Sequence, residues 1–332
     1  SMVPAFTESG KERENLSALA RSCAGVGSAV ITIITVMCVS GLGKWLGGAN
    51  DGEVERLGFQ AFAAIVAVLF VIFTVITCVC IKEKSSVDMQ TASVKEMFRA
   101  LIQNDQAMTM VAAIVLINTA LYITSNLLIY FFKYDFSGAG WKADYTLFNT
   151  FGGAFQILAM MILFPLLRKF MSTIKIFYVS STMAFCGYLI LLFLMTGGVT
   201  NVYFLLVPAF LIMSAFGMLN VIVTVFLANT VDYGELKNKR RDESVIFSMQ
   251  TFVVKLASGI SALVASLVLT VCQISSDETV EAAVSGSARI GLRMSMTLIP
   301  IFVLIIAVII FRRHYILTDE KLNEIKKELK KN

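Results

Sequence analysis

The chain has 332 residues, of which 57% are hydrophobic and 15% charged, with a formal net charge of +5 and a mean hydropathy of +0.77. So little charge, against roughly one quarter in soluble domains, excludes an ordinary soluble fold, and apolar runs that are continuous rather than alternating exclude a β-barrel. The cations sit in short loops and a tail beside those runs, so the positive charge reads as a membrane-orientation signal and not as a nucleic-acid surface.

A hydrocarbon core about 30 Å thick needs about 20 apolar residues per helix, which with loops allows about eight spans in this length. In chain order, Ser1 to Phe6 is too short to span and reads as the last turn of a helix whose beginning is absent, followed by the charged loop Glu8 to Glu14. The first full span is predicted over Leu16 to Leu42, with Arg21 near its start and Gly25, Gly27 and Ser28 allowing close helix packing. A polar segment with Trp45 as an interfacial anchor leads to the second span, Phe59 to Ile81. Val94, Met97, Phe98, Leu101 and Ile102 then recur at helical spacing within the polar stretch 82–105, the pattern of an amphipathic surface helix joining two halves.

The third span, Gln106 to Phe132, carries Asn118, Thr119, Thr124, Ser125 and Asn126, groups that either line a polar cavity or hydrogen-bond to neighbouring helices. Spans follow at Tyr145 to Leu167, Ile176 to Thr196, Val202 to Ala228, Val245 to Cys272 and Ile290 to Phe311. The tail places Leu317, Leu322, Ile325 and Leu329 among lysines, an amphipathic membrane-surface helix or a solvated tail. Loops at 8–14, 82–105, 168–175 and 233–243 and the tail are rich in Lys and Arg, and the alternate loops are poor in them or acidic. The first group and the C-terminus are therefore expected in the cytoplasm.

The six cysteines lie in apolar runs without metal-like companions and are read as small buried hydrophobes. No triad, zinc-type ligand set or other catalytic constellation is recognisable, His314 sits beside Arg312 and Arg313 at a membrane edge, and an enzyme is the least expected class.

The most informative stretch is Asn229 to Ser258, where an apolar run meets a knot of charge from Asp232 to Glu243 and a second apolar run carries Lys255. A lysine inside a membrane helix costs roughly 2.5 to 3.5 kcal/mol on insertion scales, which marks Lys255 as a functional candidate. Snorkelling to the headgroups is the bland alternative.

With these residues in view the chain resembles the glycoside–pentoside–hexuronide:cation symporters of the major facilitator superfamily. The resemblance rests on Asn229, Asp232, Tyr233, Gly234, Glu235, Arg241, Ser248, Gln250, Thr251 and Lys255, and upstream on VPAFT (Val3 to Thr7), KERE (Lys11 to Glu14), Arg21 and NDQ (Asn104 to Gln106). It implies an all-α polytopic fold of twelve helices in two halves, of which helices one to three and most of four are missing here. Residues 1–81 would then be the remainder of the N-terminal half, 82–105 a cytoplasmic linker, 106–312 the C-terminal six-helix half and 313–332 a cytoplasmic tail. The resemblance further implies substrate contacts at Arg21, Lys255, Thr251, Asn118 and Asn220, and a cytoplasmic gate of Asp232, Glu235 and Arg241. The family's cation-binding carboxylates lie on helices absent from this chain, so no metal site is expected in it.

Two departures stand out. Asn229 replaces the usual acid of the gate, and Asn220 stands where a family member has a tryptophan. The expected function is uptake of a glycoside, pentoside or hexuronide coupled to Na+ or H+ in the cell (inner) membrane, with the bilayer and a small sugar as partners. No cofactor, nucleic acid or protein partner is expected. The rivals are another substrate, such as a lysolipid, on the same scaffold, and an inactive truncated fragment.

Overall fold

The computed structural model describes residues 11–80, 102–238, 243–274 and 284–329. Of the sequence expectations, the amphipathic pattern over 94–102 falls almost wholly outside these residues, and Arg241 wholly so. The chain divides into two compact units, Ser1–Thr91 and Ala92–Asn332. Among the described residues all regular structure is helical, as a bilayer demands of chains that cannot leave backbone groups unpaired in hydrocarbon.

The first unit is a hairpin of α1 (Lys11–Trp45) and α2 (Asp51–Cys80). The turn between them uses Gly47 in the left-handed region, at φ 83°. Asn50 then accepts from the Glu53 backbone N–H at 2.9 Å, while the Glu53 carboxylate accepts from the Ala49 N–H at 3.0 Å, a reciprocal cap that starts α2. The two helices touch where a side chain is missing: a Cβ on Gly43 would run into the Val54 carbonyl, and one on Gly58 into that of Val39. Gly25 and Gly27, expected to serve this purpose, meet nothing within 4 Å. Trp45 is exposed at the hairpin turn, as an interfacial anchor would be.

The second unit contains α3 (Asp105–Phe131), α4 (Trp141–Leu158), α5 (Thr173–Thr196), α6 (Val202–Asn238), α7 (Glu243–Val271), α8 (Gly286–His314) and the short α9 (Asp319–Leu329). A π turn, Phe132–Phe136, extends α3, and another, Ala159–Leu163, carries α4 on into Phe164–Arg168. Side-chain caps begin α3, α5 and α8: Asn104 accepts from the Ala107 N–H at 3.0 Å, Ser172 from Lys175 at 3.4 Å and Ser285 from Ala288 at 3.2 Å. Seven described helices, α2 to α8, are long and apolar enough to cross a membrane. The first expected span lies within α1, whose side chains before Cys23 are not described.

Helix α6 is the centre of this unit. It packs on α4 and α5 along its length, and α3 packs on α7 and α8. Gly217 lets α6 approach so closely that a Cβ there would strike the Gln156 carbonyl of α4. At the end where α3 starts, Phe177, Phe226, Phe311 and Tyr315 form one aromatic cluster from α5, α6 and α8, with neighbouring centroids 4.2 to 5.0 Å apart.

Three expectations are corrected. Helix α6 does not stop at Ala228 but continues through Asp232, Tyr233, Gly234 and Glu235 to Asn238, so these residues are helical rather than part of a loop. Helix α9 keeps its apolar face against protein instead of lipid or water: its Leu322 and Ile325 are buried, as is Leu317 just before it, and α9 packs on α6. The cysteines are not buried. Cys23, Cys78, Cys80 and Cys186 are exposed and Cys38 and Cys272 partly so, because lipid is apolar enough that an apolar run needs no protein cover.

The opposite end of the unit is held by a charge pair that the spacing of the spans does not advertise. Asp135, 1% exposed at its side chain, takes two bonds from Arg293 of α8, at 2.6 and 2.7 Å, and the same guanidinium donates to the Met195 carbonyl at the end of α5. One ion pair thus joins the ends of three helices. Removing one member leaves the other charge without its partner, a loss of about 3 to 5 kcal/mol. Arg293→Leu is therefore expected to lower the thermal unfolding midpoint in detergent strongly. The double variant Asp135→Leu/Arg293→Leu should recover most of that loss.

Candidate functional site

Two motifs far apart in sequence meet at the start of α3. Asn104, 2% exposed, does more than cap its own helix: its Nδ2 donates to the Thr230 carbonyl of α6 at 2.8 Å. Gly234 makes room for it, since a Cβ there would stand 2.6 Å from the Asn104 Nδ2. Asp105 receives the Lys237 ammonium at 2.5 Å, the Tyr233 hydroxyl at 3.2 Å and the Gln106 side-chain amide at 2.6 Å. The Lys237 ammonium also lies 5.5 Å from the centre of the Tyr233 ring. Each member of Asn104–Asp105 thus holds a different part of the last two turns of α6, Thr230 to Lys237.

Gln106 continues the network into the tail. Its Nε2 donates to the His314 carbonyl at 3.1 Å and its Oε1 accepts from the Ile316 N–H at 3.0 Å, so one amide closes the last turn of α8. Arg168, at the end of α4, faces Asp319 at 3.6 Å where α9 begins. Tyr315, the residue after α8, packs on Phe226 and Phe311 with its hydroxyl buried. Burial pushes that hydroxyl well above the usual tyrosine range, and Asn229 lies against it without closing a hydrogen bond of ordinary geometry.

The gate candidates divide accordingly. Asp232 and Glu235 are partly exposed on the extended part of α6, flanking Tyr233 and Gly234, whereas Arg241 lies outside the described residues.

The substrate-contact candidates are spread over three helices of the second unit. Thr251 and Lys255 are exposed and one turn apart on α7, about 6 Å along its axis. Asn118 of α3 is buried at 4% exposure and donates to the Ile114 carbonyl of its own helix at 2.9 Å. Asn220 of α6 is partly buried, and its carbonyl accepts from the Thr224 hydroxyl at 3.1 Å. Thr224 in turn accepts from Gln250 of α7 at 3.0 Å, which gives the Gln250 of the motif a role in joining α6 to α7. Arg21 belongs to α1 in the first unit, and its side chain is not among those described.

The polar groups of α3 serve both purposes expected of them. Thr124 shares a 2.7 Å hydrogen bond with Tyr188 of α5, whereas Ser125 and Asn126 line a cleft of about 650 Å3 between α3 and α7, with Tyr130, Ser266 and Thr270. Asn126 also reaches Ser261 at 3.4 Å across the same pair of helices. Sequence reasoning passed over Ser266 and Thr270, although they fall at helical intervals on the face that carries Lys255. It also passed over Arg293, a cation inside an apolar run by the same criterion that marked Lys255. Among the described residues no group of His, Cys, Asp and Glu is placed to hold a metal ion.

Replacing Gly234 by Ala must displace an amide pinned by bonds at 2.8 and 3.0 Å. Such a loss costs about 1 to 3 kcal/mol where the freed carbonyl stays buried. In a double-mutant cycle measured by thermal unfolding, Gly234→Ala and Asn104→Ala are expected to be strongly non-additive, because either one breaks the same contact. Additive effects would show that the junction is not shared.

Comparison with known proteins agrees with this architecture. A profile of the family described as MFS/sugar transport protein matches residues 1–319. The chain is 25% identical over 335 residues to a raffinose carrier protein of Pediococcus pentosaceus, covering 100% of this chain and 50% of the carrier. It is 26% identical over 341 residues to a lactose permease of Leuconostoc lactis, covering 99% and 50%, and 25% identical over 276 residues to an isoprimeverose transporter of Lactiplantibacillus pentosus, covering 81% and 54%. The chain spans about half the length of the first of these relatives. With a match that runs over nearly all of its length, the chain belongs to the major-facilitator family of sugar transport proteins.

Proposed function

We propose that the protein carrying this chain moves a sugar or sugar derivative through the membrane, coupled to Na+ or H+, by rocking one half against the other about a midplane site. The observation that carries this reading is Lys255. It is a cation exposed on the flank of a membrane helix, one turn from the Thr251 hydroxyl and on the face that leads to the polar cleft. A lysine retained there at an insertion cost of roughly 2.5 to 3.5 kcal/mol is suited to hold carboxylates ionised and to respond when a cation reaches them. The raffinose, lactose and isoprimeverose transporters among its relatives support a glycoside as cargo. Arg21 suits the same cargo, because the donors of a guanidinium can meet adjacent hydroxyls.

In this reading Asp232, Glu235 and Arg241 form part of a gate on the cytoplasmic side of a cell membrane, where the C-terminus also lies. Asn229 removes one charge from that gate, and its place beside Tyr315 hands the position to the junction with the tail. Helix α9 and the Asn104–Gly234 junction then hold the end of α6 while the gate opens and closes.

Coupling means that sugar and cation raise each other's affinity by the same factor, of order 5- to 150-fold. The complete reading frame containing this chain, expressed in vesicles, should take up sugar faster under an inward Na+ or H+ gradient. Lys255→Ala should lose that stimulation while reaching the membrane in normal amount. Gradient-driven uptake unchanged in Lys255→Ala would overturn the role of Lys255, and transport of a lysolipid but of no sugar would overturn the choice of substrate.

A further inference from the structure

The cleft between α3 and α7 lies outside the substrate contacts considered so far, and its chemistry is narrow. Its polar lining is Ser125, Asn126, Tyr130, Ser266 and Thr270, with apolar walls such as Ile274, and no carboxylate, ammonium or guanidinium is among the lining residues. The Ser125 hydroxyl donates to the Leu121 carbonyl at 3.1 Å, and that of Thr270 to Ser266 at 2.9 Å. With their protons spent on the backbone, these two oxygens offer lone pairs to the cleft, that is, acceptors. Acceptors suit a ligand rich in O–H donors, and a lining without lysine or arginine gives a carboxylate no counter-charge.

Tyr130 adds the other half of a sugar site. Its ring lies nearly parallel to that of Tyr134, with centroids 6.3 Å apart and planes 12° apart, so its orientation is set by a neighbour. An aromatic body with a polar tip matches a pyranose, which has an apolar ring face and hydroxyls at its rim. The volume, about 650 Å3, falls in the ordinary range of small-molecule sites of roughly 300 to 1,000 Å3. Position matters as well. Ser266 is eleven residues beyond Lys255 on α7, three turns and about 16 Å along one face, a span longer than one sugar ring.

Resting on the transport reading above, we propose that this cleft is a distal sugar subsite that receives a neutral pyranose of an oligosaccharide whose other end lies at Thr251 and Lys255, with Tyr130 as the platform for its ring. The inference narrows the cargo from glycoside, pentoside or hexuronide to a neutral glycoside of two or more units. It also gives this chain an aromatic partner for sugar in place of the tryptophan missing at Asn220.

The test uses the complete reading frame in vesicles, with raffinose as the long probe and galactose, glucose and xylose as short ones. Membrane levels are checked by immunoblot. The wild type is expected to take up raffinose. Tyr130→Ala should raise its KM roughly tenfold, equivalent to about 1.4 kcal/mol, and leave the KM of any transported monosaccharide within about twofold. Thr270→Val, which removes an acceptor at nearly constant size, should shift the same ratio in the same direction and guards against a folding defect in Tyr130→Ala. Uptake of monosaccharides but not raffinose by the wild type would overturn the subsite and leave the transport reading intact. So would equal KM changes for long and short probes, or no change in either variant. Failure to carry any sugar from a correctly inserted wild type would overturn both.

Discussion

One side-chain amide holds the second unit in register. Asn104 starts α3 by capping it and, through the other end of the same amide, bonds the Thr230 carbonyl of α6. It can do both only because Gly234, one turn further along α6, has no side chain to fill the space. Asp105 and Gln106 extend the junction, the first to Tyr233 and Lys237, the second to the end of α8. Three consecutive residues therefore tie together the start of α3, the last turns of α6 and the end of α8. In a bilayer this matters more than in water, because the hydrophobic effect that would draw helices together is absent between apolar surfaces and polar contacts at their ends supply the register.

The two ends of the unit use different chemistry. The end with Asn104 is a network of amides, a tyrosine, a lysine and the aromatic cluster around Phe311, covered by α9. The other end is closed by the buried Asp135–Arg293 pair and its bond to the Met195 carbonyl. A distributed network can lose one bond and keep the rest, whereas a single buried pair is all or none.

Between the ends, the polar surface of α7 gives the unit its chemical character. Thr251 and Lys255 are exposed near its middle, and Ser266 and Thr270 line the cleft toward its end. The carboxylates that a cation would need are not gathered anywhere among the described residues.

Much of this could be read from sequence because a membrane restricts what a chain can do. An unpaired backbone in hydrocarbon is so costly that each apolar run of Phe59 to Ile81 or Val202 to Ala228 kind had to be a helix, and Lys255 stood out because charge there is rare. The motifs NDQ and DYGE were also visible, each on its own. Only the tertiary structure decided that they touch, that α6 carries DYGE onward as helix, that α9 lies on protein, and that Asp135 finds Arg293. The first and last of those facts rest on contacts between residues more than one hundred positions apart, as Asn104 is from Thr230, and neither periodicity nor hydropathy records which distant side chain will fit a given space.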